Sequence, residues 1–157
     1  SINSYSDRAK VITDTINYKV INVSNKRDTV YTQGLIISDD GKHLYESGGL
    51  YMKSSIRKLA YPSLTVESEQ KLDGKYFGEG IARCGDILYQ LTWREEDILK
   101  FDAENLNPLG KITIDENMRE GWGLTEYSDD ILLGTDGTAE VFFLKCNDNL
   151  KMKKTIP

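Results

Sequence analysis

Three segments open alike at intervals in the forties, each holds four short strand-like runs, and no stretch shows helical periodicity. Together these features predict an all-β chain built as a β-propeller, with about three blades present. The segments open at Gly34-Leu35-Ile36, Gly80-Ile81-Ala82 and Gly123-Leu124-Thr125. Each opening runs into an Asp/Gly turn: Asp39-Asp40-Gly41, Gly85-Asp86, Asp129-Asp130. An apolar strand follows at 43–45, 87–89 and 131–133, then a third strand at 55–59, 97–101 and 141–144. A fourth strand closes each segment at 66–72, 109–114 and 151–156. Four strands per period of this length are the pattern of propeller blades. A β-sandwich or an irregular barrel is the runner-up, disfavoured because turns and strands recur in the same order three times.

Propellers typically close with about four to eight blades. Three leave unpaired strand edges, so further blades are expected in a longer polypeptide or in a second chain. The whole of 1–157 then reads as a partial propeller domain with blades starting near 34, 80 and 123. The stretch 11–23 is expected to hold a strand of the ring-closing blade, because residues 16–23 alternate apolar and polar.

Composition narrows the function. The 157 residues are 39% hydrophobic and 29% charged, ordinary for a folded globular chain. A net charge of −5 supplies no basic footprint, so no nucleic-acid partner is expected. No uninterrupted apolar run approaches the ~20 residues of a membrane helix, so no membrane association is expected. Cys84 and Cys146 allow one disulfide or two buried thiols, and two buried thiols is the favoured reading. The single histidine, His43, lies in a polar turn and is read as exposed; one histidine cannot build a His-rich metal site.

In a blade the first strand lines the central channel, so residues just before the repeat glycines sit near one mouth. One position back lie Gln33, Glu79 and Trp122; three back lie Tyr31, Phe77 and Glu120. Residues two apart on a strand share a face, so these six are expected to converge. Trp93 either returns to the same mouth or caps a blade. Carboxylates against an aromatic wall suit a small, partly apolar ligand carrying an amine. Such a wall raises a carboxyl pKa toward the range useful for proton transfer.

The series Tyr31-Thr32-Gln33-Gly34-Leu35, Leu44-Tyr45-Glu46-Ser47-Gly48-Gly49-Leu50-Tyr51, Lys53-Ser54-Ser55-Ile56-Arg57-Lys58, Tyr76-Phe77-Gly78-Glu79-Gly80-Ile81 and Leu88-Tyr89-Gln90-Leu91-Thr92-Trp93 carries further information. With Glu120-Gly121-Trp122-Gly123-Leu124 and Thr135-Asp136-Gly137-Thr138, it resembles the plant and bacterial type of glutaminyl-peptide cyclotransferase, in order from about Tyr18 to the end. The resemblance implies a five-bladed propeller that turns N-terminal glutamine of peptides and proteins into pyroglutamate with loss of ammonia. It implies no metal and no cofactor, unlike the zinc-dependent animal type. Glu79 matches the family's general acid/base, and Gln33, Phe77, Trp93 and Trp122 match substrate-pocket positions. Tyr31 stands where the family motif has Phe, which adds a hydroxyl to the substrate-binding set. An Asn, a third pocket Trp and a Lys belong to later blades of the family, so residues 1–157 alone are expected to be inactive. Family members commonly take secretory or periplasmic routes, the localisation expected here. The alternative is a non-catalytic propeller that binds peptides or proteins.

Overall fold

The computed structural model describes residues 15–23, 30–146 and 149–156, without the side chains of 153–155. Among the described residues, twelve strands form three four-stranded antiparallel sheets. Blade 1 comprises β1 (Thr32–Ile37), β2 (His43–Gly48), β3 (Ser55–Ala60) and β4 (Val66–Lys71). Blade 2 comprises β5 (Gly78–Cys84), β6 (Ile87–Thr92), β7 (Asp97–Asp102) and β8 (Pro108–Thr113). Blade 3 comprises β9 (Leu124–Ser128), β10 (Ile131–Gly134), β11 (Val141–Lys145) and β12 (Lys151–Ile156). Within each sheet the strands lie side by side in chain order, the meander expected of a blade.

Local chemistry sets the turns. The Asp40 carboxylate accepts from the Ser38 hydroxyl at 2.6 Å and the Lys42 amide at 3.0 Å, closing the β1–β2 hairpin. The β3–β4, β7–β8 and β11–β12 connections each place a leucine at positive φ: Leu64, Leu106 and Leu150 at 59°, 60° and 55°. Leu106 and Leu150 are fully buried, so apolar burial offsets a backbone region that L-residues disfavour.

Blades stack face to face, and strand alternation sends successive side chains to opposite neighbours. In β6, Leu88 and Gln90 face blade 1, whereas Tyr89 and Leu91 face blade 3. One core therefore joins blades 1 and 2 through Tyr45, Ile56, Ile81, Leu88 and Phe101. A second joins blades 2 and 3 through Ala82, Leu91, Ile98, Leu132, Phe142 and Leu144. The Tyr45 hydroxyl crosses the first interface to donate to the Ala103 carbonyl at 2.6 Å. The repeat glycines mark where first strands converge. A Cβ on Gly80 would lie 2.4 Å from the Leu124 amide nitrogen, and one on Gly34 would lie 2.8 Å from that of Ile81.

Two expectations need correction. Cys84, at the end of β5, and Cys146, just past β11, form a disulfide with their Cα atoms 6.3 Å apart. Stacking blade 2 on blade 3 brings them within bonding reach, although 62 residues separate them in sequence. His43 opens β2 and is only about a quarter exposed, with Nε2 3.2 Å from a Glu67 carboxylate oxygen and Nδ1 3.7 Å from one of Asp40. Residues 15–23, part of the stretch expected to pair with a ring-closing blade, are exposed and form no strand with the three blades; residues 11–14 lie outside the described residues.

Candidate active site

The site is assembled at the starts of β1 and β5 by two matching irregularities. In β1, Thr32 pairs with Gly48 and Gly34 with Ser47, so Gln33 is an extra residue in the ladder. In β5, Gly78 pairs with Thr92 and Ile81 with Gln90, which inserts one extra residue at Glu79-Gly80. A β-bulge re-aims the side chain it carries. Here both bulges fall on residues singled out from the sequence, and they bring the Gln33 amide nitrogen within 3.4 Å of a Glu79 carboxylate oxygen.

Glu79 is half-buried, and its pKa is raised to about 7, first by burial and then by the negative charge of Glu120. Its backbone is pinned from below. The Ser47 hydroxyl donates to the Glu79 carbonyl, and the Gln90 side-chain amide donates to Ser47 Oγ at 2.6 Å. Both Ser47 and Gln90 are wholly buried, so this polar link between blades 1 and 2 is sealed from water.

An aromatic wall stands beside the carboxyl. Phe77 meets Trp93 edge to face with centroids 5.6 Å apart, and Tyr51 meets Phe77 in the same manner at 5.3 Å. Backbone bonds set these positions: Trp93 N–H donates to the Phe77 carbonyl at 3.0 Å, and Gly121 N–H to that of Trp93 at 2.9 Å. Gly80 N–H donates to the Trp122 carbonyl at 2.7 Å. Trp122 lies against the turn at Gly137, where a Cβ would come 2.7 Å from two atoms of the indole.

Glu120 accepts both indole N–H groups on one oxygen, Trp93 at 2.7 Å and Trp122 at 2.9 Å. Its pKa is lowered, chiefly by the Trp122 hydrogen bond. The buried Asp136 carboxylate accepts from the Arg119 amide at 3.0 Å and the Thr138 hydroxyl at 2.6 Å, tying the segment that carries Glu120 to the Asp136-Gly137-Thr138 turn.

Of the expected residues, Gln33, Phe77, Glu79, Trp93, Glu120 and Trp122 come together, and Trp93 returns to the mouth. Tyr31 does not join them by any hydrogen bond or ring contact among the described residues. It is 67% exposed and lines a small recess with Gly49, Leu50 and Lys53. Tyr31 precedes β1, so alternation within that strand does not fix its direction. Sequence reasoning gave no role to Tyr51, Glu95, Ser47 or Gln90. Tyr51 donates to Glu95 at 2.8 Å and extends the aromatic wall. Its place in the Gly48-Gly49-Leu50-Tyr51 motif was the available signal. A roomier groove of about 470 Å³ lies at the far ends of the same strands, but turn residues such as Asp39, Asp40 and Asp86 line it, with no aromatic wall like that beside Glu79.

The chain is 37% identical to glutaminyl-peptide cyclotransferase of Arabidopsis thaliana over 112 residues, covering 71% of this chain and 34% of the relative. It superposes on the crystal structure of Myxococcus xanthus glutaminyl cyclase with a TM-score of 0.67 at 28% identity, over 81% of this chain and 50% of that one. The Pan2 WD40 domain of Neurospora crassa, at 10% identity and a TM-score of 0.63 over 80% of this chain and 35% of that one, shares the propeller fold alone. The chain thus spans about a third of the plant relative and half of the bacterial one. The glutamine cyclotransferase family model matches residues 2–157, and a bulge-mounted carboxyl, its amide neighbour and the tryptophan wall fall within that match: this chain belongs to the glutamine cyclotransferase family.

Proposed function

We propose that this chain is the part of a glutaminyl-peptide cyclotransferase that carries its acid/base, with N-terminal glutamine of peptides or proteins as substrate. The observation that carries the reading is Glu79: a half-buried carboxyl with a pKa of about 7, two residues from the Phe77 ring and within reach of a side-chain amide. Near neutrality it exists in both protonation states, which suits one group that must take a proton and return it.

In the reaction, the substrate's α-amine nitrogen attacks its own side-chain carbonyl carbon and forms the ring C–N bond. Glu79 takes the proton shed by that nitrogen. It then delivers the proton to the amide nitrogen, the bond from carbon to that nitrogen breaks, and ammonia leaves. The lactam remains, and Glu79 ends as it began. Gln33 hydrogen-bonds the substrate amide, while Phe77, Trp93 and Trp122 fold the aliphatic side chain toward its amine, a proximity effect. Tyr31 stays a peripheral substrate contact in this reading. Later blades complete the propeller and the pocket, supplied by a longer polypeptide or a second chain. The Cys84–Cys146 disulfide supports a secreted or periplasmic location.

The test is direct. The full-length protein is incubated with a peptide bearing N-terminal Gln and with its Asn counterpart, and product mass and free ammonia are followed. Pyroglutamyl product with equimolar ammonia from the Gln peptide alone is expected. No product from the full-length protein would refute the reading.

A further inference from the structure

We infer that Glu120 is a positioning residue of this site, whose carboxylate fixes the Trp93 and Trp122 indoles as one wall and stands as a permanent negative charge beside Glu79. The inference rests on the cyclotransferase reading for its chemistry, but on geometry for its placement.

Two indoles from different parts of the chain share one oxygen. Trp93 follows β6 and Trp122 precedes β9, yet both donate to Glu120 Oε2, at 2.7 and 2.9 Å. An indole N–H is a donor only and lies in the ring plane, so anchoring it limits how the ring can turn. The other oxygen, Oε1, faces Arg94 Nε at 3.3 Å, and the Arg94 guanidinium lies 3.8 Å over the Trp93 ring. Glu120 is itself held on both sides, by Arg119 N–H on Asp136 and by Gly121 N–H on the Trp93 carbonyl. It is not a loose loop acid.

The charges around Glu79 are few. β1 offers the neutral Gln33, and the segment before β9 offers Glu120. Of the three charged residues between β6 and β7, Arg94 is directed to Glu120, Glu95 to the Tyr51 hydroxyl, and Glu96 is exposed. Glu120 thus opposes ionisation of Glu79 while favouring a cationic amine at the mouth. Two carboxyls in contrasting surroundings take contrasting roles, one fixed in charge and one free to exchange its proton.

Two variants of the full-length protein separate the roles. Glu120→Gln keeps an oxygen for both indoles and removes the charge; Glu120→Ala removes both. The indole N–H resonances of Trp93 and Trp122, assigned with the Trp→Phe variants, report the wall. Titration of the carbon-13-labelled Glu79 carboxyl, assigned with Glu79→Gln, reports the charge. In Glu120→Gln the indole resonances hold and the Glu79 midpoint falls from about 7, by less than half its displacement from 4.5, because burial is the larger cause. In Glu120→Ala the resonances also move, and kcat/KM for an N-terminal Gln peptide falls about 100-fold. An unchanged Glu79 midpoint in Glu120→Gln would overturn the inference, as would unmoved resonances in Glu120→Ala. Glu120→Gln carries the charge test alone where Glu120→Ala does not fold. Both spectroscopic shifts in a protein that cyclises no peptide would uphold the placement of Glu120 and refute the cyclotransferase reading.

Discussion

Replacing Glu79 by Gln should stabilise the protein at pH 8 and leave its stability nearly unchanged at pH 4. The folded state holds the Glu79 pKa at about 7, against an ordinary value of 4.5 that describes the unfolded chain. Below pH 4.5 both states are protonated, and the carboxyl contributes its full share. Between pH 4.5 and 7 the unfolded chain ionises while the folded one does not, so the unfolded state binds fewer protons and stability falls as pH rises. Above pH 7 the loss is complete. Each pKa unit is worth about 1.4 kcal/mol, so the displacement amounts to about 3 kcal/mol before screening. Glu79 is only half-buried, and solvent reduces this to about 1–2 kcal/mol. An amide at position 79 does not titrate and avoids the loss. The assay is urea denaturation of wild type and Glu79→Gln between pH 4 and pH 8, in which other carboxylates cancel in the difference. A variant equal to or weaker than wild type at pH 8 would show that Glu79 is not held protonated by its surroundings.

Other perturbations test the frame. Replacing Cys84 and Cys146 by Ser should cost about 4 kcal/mol in chemical denaturation, since the bond closes a 62-residue separation; no change would argue that the thiols are free. Ser47→Ala leaves the Glu79 carbonyl and the Gln90 amide without their shared buried partner, and a loss of about 1–3 kcal/mol is expected by the same assay. Gly137→Ala places a Cβ 2.7 Å from the Trp122 ring at a φ of 81°, so a loss of about 1–3 kcal/mol with a shifted tryptophan emission is expected. Unaltered emission there would mean that Trp122 does not rest on that turn.

The sequence carried the frame because blades repeat. Gly34, Gly80 and Gly123 open equivalent strands, and the four runs after each became the strands seen in β1–β12. Gln33, Phe77, Glu79 and Trp122 were legible because equivalent positions in a propeller share a location; periodicity left Trp93 open, and only the family resemblance singled it out. What stayed hidden is what arises between blades. The disulfide joins strand ends brought together only by stacking, and no local spacing announces it. Tyr31 lies ahead of β1, where strand alternation does not fix a side chain's direction, and it stands apart from the ring contacts of Phe77. Glu120 was visible as one of the six residues expected to converge, but its shared grip on two indoles depends on a segment folding back over β6. The buried Ser47–Gln90 link likewise spans two blades whose residues are ordinary polar ones in sequence.

The most direct test of the account is turnover by Glu79→Gln in the full-length protein, measured beside wild type on a peptide with N-terminal Gln. If Glu79 moves the proton, the variant binds the peptide yet loses a factor of about 10² to 10⁴ in kcat with little change in KM. Near-normal turnover would contradict the assignment and place the proton transfer on another group.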